Sequence, residues 1–134
     1  LGKDGGALGK MLPIFKAGFG GPLGDGKQWM SWIHRSDLCQ IIEQSIKNKS
    51  WSGVINSVAP NPVSMGEFSE TLGKVLGRPS LLPIPGKLLE LLLGDGAKVV
   101  LEGQCVKPMR LNKLGFQFQY KTISEALLNI NKKA

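Results

Sequence analysis

The chain is poor in the residues from which many active sites are built. Among its 134 residues are one histidine, one tyrosine and two cysteines. A zinc site needs three or four nitrogen or sulfur ligands, so His34 with two widely separated cysteines, Cys39 and Cys105, argues against a metal centre made by this chain alone. The same two cysteines supply no framework of bridges and suit a reducing compartment. Acidic residues number only 10, and they fall mainly at helix caps and on helix surfaces, which leaves little for paired-carboxylate chemistry. The longest apolar run, around Leu88 to Leu93, is far too short to span a bilayer. No basic segment leading into an apolar stretch opens the chain, so no secretory signal is visible. A soluble, cytoplasmic protein with no membrane partner is the expectation. Residue 1 is Leu rather than Met, which predicts a processed product or a piece of something longer.

Two chemical signatures are also missing. No Gly-x-Gly-x-x-Gly follows a strand at the start of a helix, so there is no dinucleotide turn and no phosphate loop. The sole tyrosine, Tyr120, is followed directly by Lys121 and has no lysine four residues on, which removes a tyrosine-lysine acid/base pair. No catalytic residue is assigned. The net charge of +7 and pI near 9.6 raise the question of nucleic acid. The lysines, however, are scattered singly, with one doublet at Lys132-Lys133, so no basic stripe forms and no nucleic-acid partner is expected.

What the sequence does have is a glycine-rich loop leading into an aromatic strand. Four glycines fall within the seven positions from Gly20 to Gly26, a density that specifies tight turns or close approach. The segment behind it carries Trp29, Trp32 and His34, and then Asp37 with Gln40 three residues on reads as a helix cap. A loop backed by an aromatic strand suits one wall of a small-molecule pocket. The candidate substrate-binding residues are Gly20, Gly21, Gly24, Gln28, Trp32 and His34. His34 has a second reading, as an imidazole that satisfies backbone groups where strand meets helix. Of the two tryptophans, three apart, one is expected in the core and the other near the loop.

Along the chain, helices and strands alternate. Leu8, Met11, Leu12 and Phe15 predict a helix over 6–17, with Pro13 kinking it. Trp29 to Ile33 reads as a strand, followed by a helix from Asp37 that carries Leu38, Ile41, Ile42 and Ile46. Gly53 to Ala59 reads as a buried strand. Ser64 and Glu67 form a capping box for a helix closed by Gly77. Ser80 to Pro85 is extended, Lys87 to Leu93 is helical, and that helix resumes toward Leu101 after Gly94-Asp95-Gly96. Gln104 to Val106 predicts a strand, Pro108 to Leu114 a short helix, Phe116 to Tyr120 another strand. Thr122 and Glu125 open a terminal helix with a further capping box. The class is α/β.

These residues resemble a family. Leu1-Gly2-Lys3-Asp4-Gly5-Gly6-Ala7-Leu8-Gly9, the loop Gly20 to Gly26 with Trp32-Ile33-His34 and Asp37-Leu38, and Gly53-Val54-Ile55-Asn56 with Ala59-Pro60 are similar to the C-terminal half of the atypical extended short-chain dehydrogenase/reductases. These are the NAD(P)-dependent epimerase-like or cell-division-inhibitor-like proteins. Leu101-Glu102-Gly103-Gln104, Val106-Lys107-Pro108 and Leu114-Gly115-Phe116 resemble that family's small C-terminal domain. The resemblance implies the C-terminal portion of a Rossmann-type NAD(P)-binding domain over residues 1–62, and a small α/β substrate-capping domain over 63–134. It implies NADP(H) as cofactor of the complete protein, a cofactor contact at Gly2, and an unknown small-molecule substrate. Arg35-Ser36 departs from the acidic or hydrophobic residues expected before Asp37. No cofactor is expected on this chain alone, because the glycine-rich cofactor turn and the catalytic pair lie in the other half. An exposed sheet edge predicts self-association. The competing class is a non-enzymatic interaction or regulatory module on the same fold.

Overall fold

The computed structural model describes residues 1–80, 82–84, 87, 94 and 102–132. Helix α1 spans Gly6–Lys16 and buries Leu8, Met11 and Phe15, a single stripe at helical spacing. Pro13 lies inside it, as the sequence predicts. The helix tolerates the lost N–H, and Ala17 N still donates to the Pro13 carbonyl at 3.0 Å.

Helix α2, Arg35–Lys47, begins earlier than the sequence suggests. Its N-cap is His34, whose Nδ1 accepts from Ser36 N at 3.1 Å. Asp37 is therefore not the cap but a first-turn residue, and its fully buried carboxylate accepts from Gln119 N at 2.8 Å and Tyr120 N at 3.1 Å. The reason is tertiary: an acceptor with two oxygens satisfies two backbone donors arriving from the far end of the chain, and the imidazole takes over the local donor.

Helix α3 is Met65–Leu76. Ser64 caps it by accepting from Glu67 N at 3.1 Å, and Gly77 ends it in the left-handed region at φ 63°. After the short α4, Met109–Lys113, the chain reaches α5, Ile123–Lys132. A reciprocal box starts α5: Thr122 Oγ1 accepts from Glu125 N at 3.4 Å, and the Glu125 carboxylate accepts from Thr122 N at 3.0 Å and Lys121 N at 3.2 Å.

Strand structure is sparser than the sequence predicts. Strand β1 is only Trp29–Met30, paired antiparallel with β2, Val63–Ser64, in the register Trp29↔Ser64 and Met30↔Val63. The backbone beyond β1 is nevertheless bonded on both sides. Leu1 N donates to the Ile33 carbonyl and Arg35 N donates to the Leu1 carbonyl, the slanted pattern of a parallel pair about His34. Ala59 N donates to the Trp32 carbonyl at 2.7 Å. Leu23 and Ile84 form one more parallel bridge. The expected strands at 53–59, 104–106 and 116–120 are not strands here. A strand needs a continuous partner ladder, whereas Val54 stands 84% exposed, Val106 N bonds the Ser31 hydroxyl, and Gln119 and Tyr120 bond Asp37. The expected helix over Lys87 to Leu93, with its continuation to Leu101, lies outside the described residues, as does part of Ser80 to Pro85.

Two apolar clusters hold these elements. The larger joins α1, α3 and α5 through Leu8, Phe15, Phe68, Leu72, Ala126 and Leu127, with Trp32 and Leu23 from the chain between α1 and α2. Residues on both sides of position 62 share it. The smaller packs Ile41 of α2 against Leu111, Phe116 and Phe118, the last two rings meeting edge to face at 4.9 Å. Asp37 ties the tail of the second cluster to the start of α2.

Candidate functional site

A concavity of about 830 Å³ opens beside β1. One wall is the run Trp29 to Ile33, and the facing wall is Glu102, Gly103, Gln104 and Val106. Met65 from α3, Ala7 from α1 and Leu1 are the other described lining residues, with which the two walls enclose the cleft. Ser31 joins the walls: its hydroxyl donates to the Gln104 carbonyl at 2.5 Å and accepts from Val106 N at 2.9 Å. Gly103 brings the second wall against the first. A Cβ there would lie 2.0 Å from the Trp29 carbonyl oxygen, and its φ of +32° is one that side chains rarely adopt. The two walls are thus joined by the Ser31 hydroxyl and by the close backbone approach of Gly103 to Trp29. The open side chains of the cleft are half-exposed Trp29 and half-buried Met30; Met65 and Trp32 line it from the core, the Trp32 indole N–H donating to the Asn61 carbonyl at 2.8 Å.

Of the residues expected to bind substrate, Trp32 lines this cleft and the others do not. Gly20 is buried against the Phe15 ring, which a Cβ would approach to 2.3 Å. Gly21 passes Leu82 so closely that a Cβ would lie 1.7 Å from its carbonyl oxygen. Gly24 supplies a positive φ of 61°, and Gln28 Nε2 donates to the Leu23 carbonyl at 2.9 Å. The glycine density therefore has a packing explanation. His34 lies behind the cleft wall, 5% exposed, capping α2 and packed against the Tyr120 ring at a tilt of 34° with centroids 3.9 Å apart. Gly2, the expected cofactor contact, lies beside the Arg35 side chain, and Arg35 pairs with Asp4 at 3.0 Å. Leu1, its neighbour, borders the cleft. Burial, and secondarily the Arg35 charge, lower the pKa of the Leu1 amine.

Sequence reasoning missed Trp29, Ser31, Gly103 and Gln104 as cleft residues. Trp29 and Ser31 alternate with the inward Trp32 in a way that placed them on no clear face. Gly103 and Gln104 reach β1 only through the tertiary fold.

The loop Gly20 to Gly26 runs into β1 rather than into a helix, and its Gly26 N is already bonded to the Leu23 carbonyl at 3.2 Å. Among the described residues no group of three or more His, Cys, Asp or Glu side chains could hold a metal. No described helix is long and apolar enough to cross a membrane.

The mixed helices and strands, with parallel pairing about His34 and a ligand-sized cleft beside β1, suit the C-terminal portion of a Rossmann-type α/β protein. A family profile described as a domain of unknown function, DUF1731, matches residues 84–130. The chloroplastic SDR39U1 homolog of Arabidopsis thaliana, an epimerase family protein, is 57% identical over 127 residues, covering 95% of this chain and 37% of that protein. Human SDR39U1 is 40% identical over 131 residues, covering 97% of this chain and 45% of that protein. The crystal structure of human SDR39U1 isoform 2 with NADPH superimposes with a TM-score of 0.92 at 38% identity, over 100% of this chain and 46% of that one. A nucleoside-diphosphate sugar epimerase from Corynebacterium glutamicum gives a TM-score of 0.66 at 35% identity, over 95% of this chain and 23% of that one. The chain belongs to this epimerase family of extended short-chain dehydrogenase/reductases and corresponds to its C-terminal portion. It spans less than half the length of these relatives.

Proposed function

We propose that this chain supplies the substrate-side wall of an NADP(H)-dependent oxidoreductase or epimerase-like protein. The cofactor turn and the tyrosine-lysine pair are contributed by the portion of the relatives that the chain does not span. The observation that carries this reading is the cleft of about 830 Å³ whose border is Leu1, at the point where the chain pairs in the parallel sense with the segment through His34. Residues 1–62 then complete a Rossmann-type sheet, and residues 63–134 cap the substrate. Alone, the chain is inactive, and exposed apolar side chains such as Phe19, Ile46 and Val54 favour its self-association. Exposed Cys39 and Cys105 suit a reducing compartment, which the expected cytoplasm and the organelle named for the Arabidopsis relative both provide.

The test is a chimaera of human SDR39U1 in which this chain replaces the matching C-terminal segment, titrated with NADPH by fluorescence. The expected result is saturable binding by the chimaera and none at low micromolar NADPH by the chain alone. Tight NADPH binding by the chain alone, or a folded chimaera that has lost NADPH, overturns the reading. A non-enzymatic interaction module on the same fold predicts the second outcome.

A further inference from the structure

The lining of the cleft carries more than its location. A ligand with a diphosphate asks for lysine, arginine or open helix N-terminal amides to meet its charge. No lysine or arginine is among the described lining residues, and the sole ionisable side chain there is the exposed carboxylate of Glu102. Arg35, next to the His34 segment behind the wall, pairs with Asp4 at 3.0 Å. The first turn of α1 reaches the cleft through Ala7, but the Asp4 carboxylate stands just before it. What the cleft does offer is flat and polarizable surface. Trp29 is 47% exposed, a large cost for a tryptophan unless something covers it, and half-buried Met30 lies next to it in the lining. The Gln104 and Val106 backbone groups that could have gripped a polar ligand are taken by Ser31.

We infer that this cleft takes a flat aromatic ligand that is uncharged or cationic, held against Trp29 with Glu102 at the rim, and that it disfavours anionic ligands such as sugar nucleotides. The inference rests on the cleft being the substrate side. A cation over the indole face and near Glu102 gains twice, whereas a carboxylate meets both the ring's negative face and the Glu102 charge.

Three probes of one shape separate the contributions: 2-naphthylmethylammonium, 2-naphthol and 2-naphthoate, titrated into the isotopically labelled chain and followed by NMR at the Trp29 indole and Gly103 amide. The ammonium is expected to bind about tenfold more tightly than the carboxylate, with the alcohol between them. Glu102→Gln should shrink that ratio to about twofold, and Trp29→Leu should weaken all three probes about fivefold or more while the spectrum stays dispersed. Equal or preferential binding of 2-naphthoate at the same resonances overturns the ligand class and leaves the cleft as a binding site. Binding that ignores Trp29→Leu, or no binding by any probe, overturns the cleft reading and this inference with it.

Discussion

Replacing Asp37 with alanine should be the most damaging single polar change in the described structure. The carboxylate is fully buried and accepts two backbone N–H groups, Gln119 at 2.8 Å and Tyr120 at 3.1 Å, across more than eighty residues of sequence. Hydrogen bonds to a charged acceptor contribute about 1.5–3 kcal/mol each. Gln119 is on the surface, so water replaces part of its bond, whereas Tyr120 is half-buried, its ring against that of His34. The expected loss is about 3–5 kcal/mol for Asp37→Ala. Asp37→Asn keeps one acceptor oxygen and turns an amide N–H toward the other donor, for a loss of about 1–3 kcal/mol. Against a total of about 5–15 kcal/mol, the alanine variant should be close to unfolding. Urea titration followed by tryptophan fluorescence reads this directly, since a slope of about 1–3 kcal/mol per molar converts the loss into a midpoint lowered by roughly 2 M. Asp25→Asn, at an exposed loop carboxylate that accepts from Lys27 N, is the control and should stay within about 0.5 kcal/mol. An Asp37→Ala midpoint indistinguishable from that control would refute the role assigned to this carboxylate.

Three further outcomes are expected. Phe68→Ala removes a fully buried ring from the larger cluster and should cost about 3–5 kcal/mol without altering probe binding at the cleft. Gly21→Ala forces a Cβ against the Leu82 carbonyl and should lower stability by about 1–3 kcal/mol, and thermal melts showing no loss would return that glycine to a ligand-contact role. The Glu125 carboxyl is held below its ordinary pKa, first by the Thr122 backbone bond and then by the Thr122 hydroxyl. A depressed folded-state pKa gives stability that is present above the unfolded value of about 4.3 and lost as pH falls through the folded one. Glu125→Gln should therefore lose less melting temperature between pH 6 and pH 3 than the parent chain does, and parallel acid profiles would contradict the capping geometry.

The helices were legible because their signals are local. Ser64 with Glu67, Thr122 with Glu125, Gly77 and the stripe Leu8, Met11, Phe15 each act within a turn or two of themselves. Asp37 misled for the same reason. Asp37 and Gln40 have the spacing of a cap, but the groups that claim the carboxylate come from residues 119 and 120. The apolar run at 53–59 and the alternation at 116–120 both point to strands, yet strands require partner ladders, and Val54 is exposed while Gln119 and Tyr120 bond the Asp37 carboxylate. The glycine loop was conspicuous in sequence because close packing on Phe15 and Leu82 demands it. The cleft was faint because its second wall, Glu102 to Val106, reaches Trp29 and Ser31 only across some seventy residues. Resemblance supplied the family where local physics gave only α/β.

The most direct test of the central claim is a crystal structure of the SDR39U1 chimaera, carrying this chain, with NADPH bound. The nicotinamide ring is expected at the mouth of the cleft, beside Leu1 and Gly2 and open toward Trp29. A nicotinamide ring against another face, with the cleft beside β1 sealed from it, would contradict the assignment of this chain as the substrate-side wall.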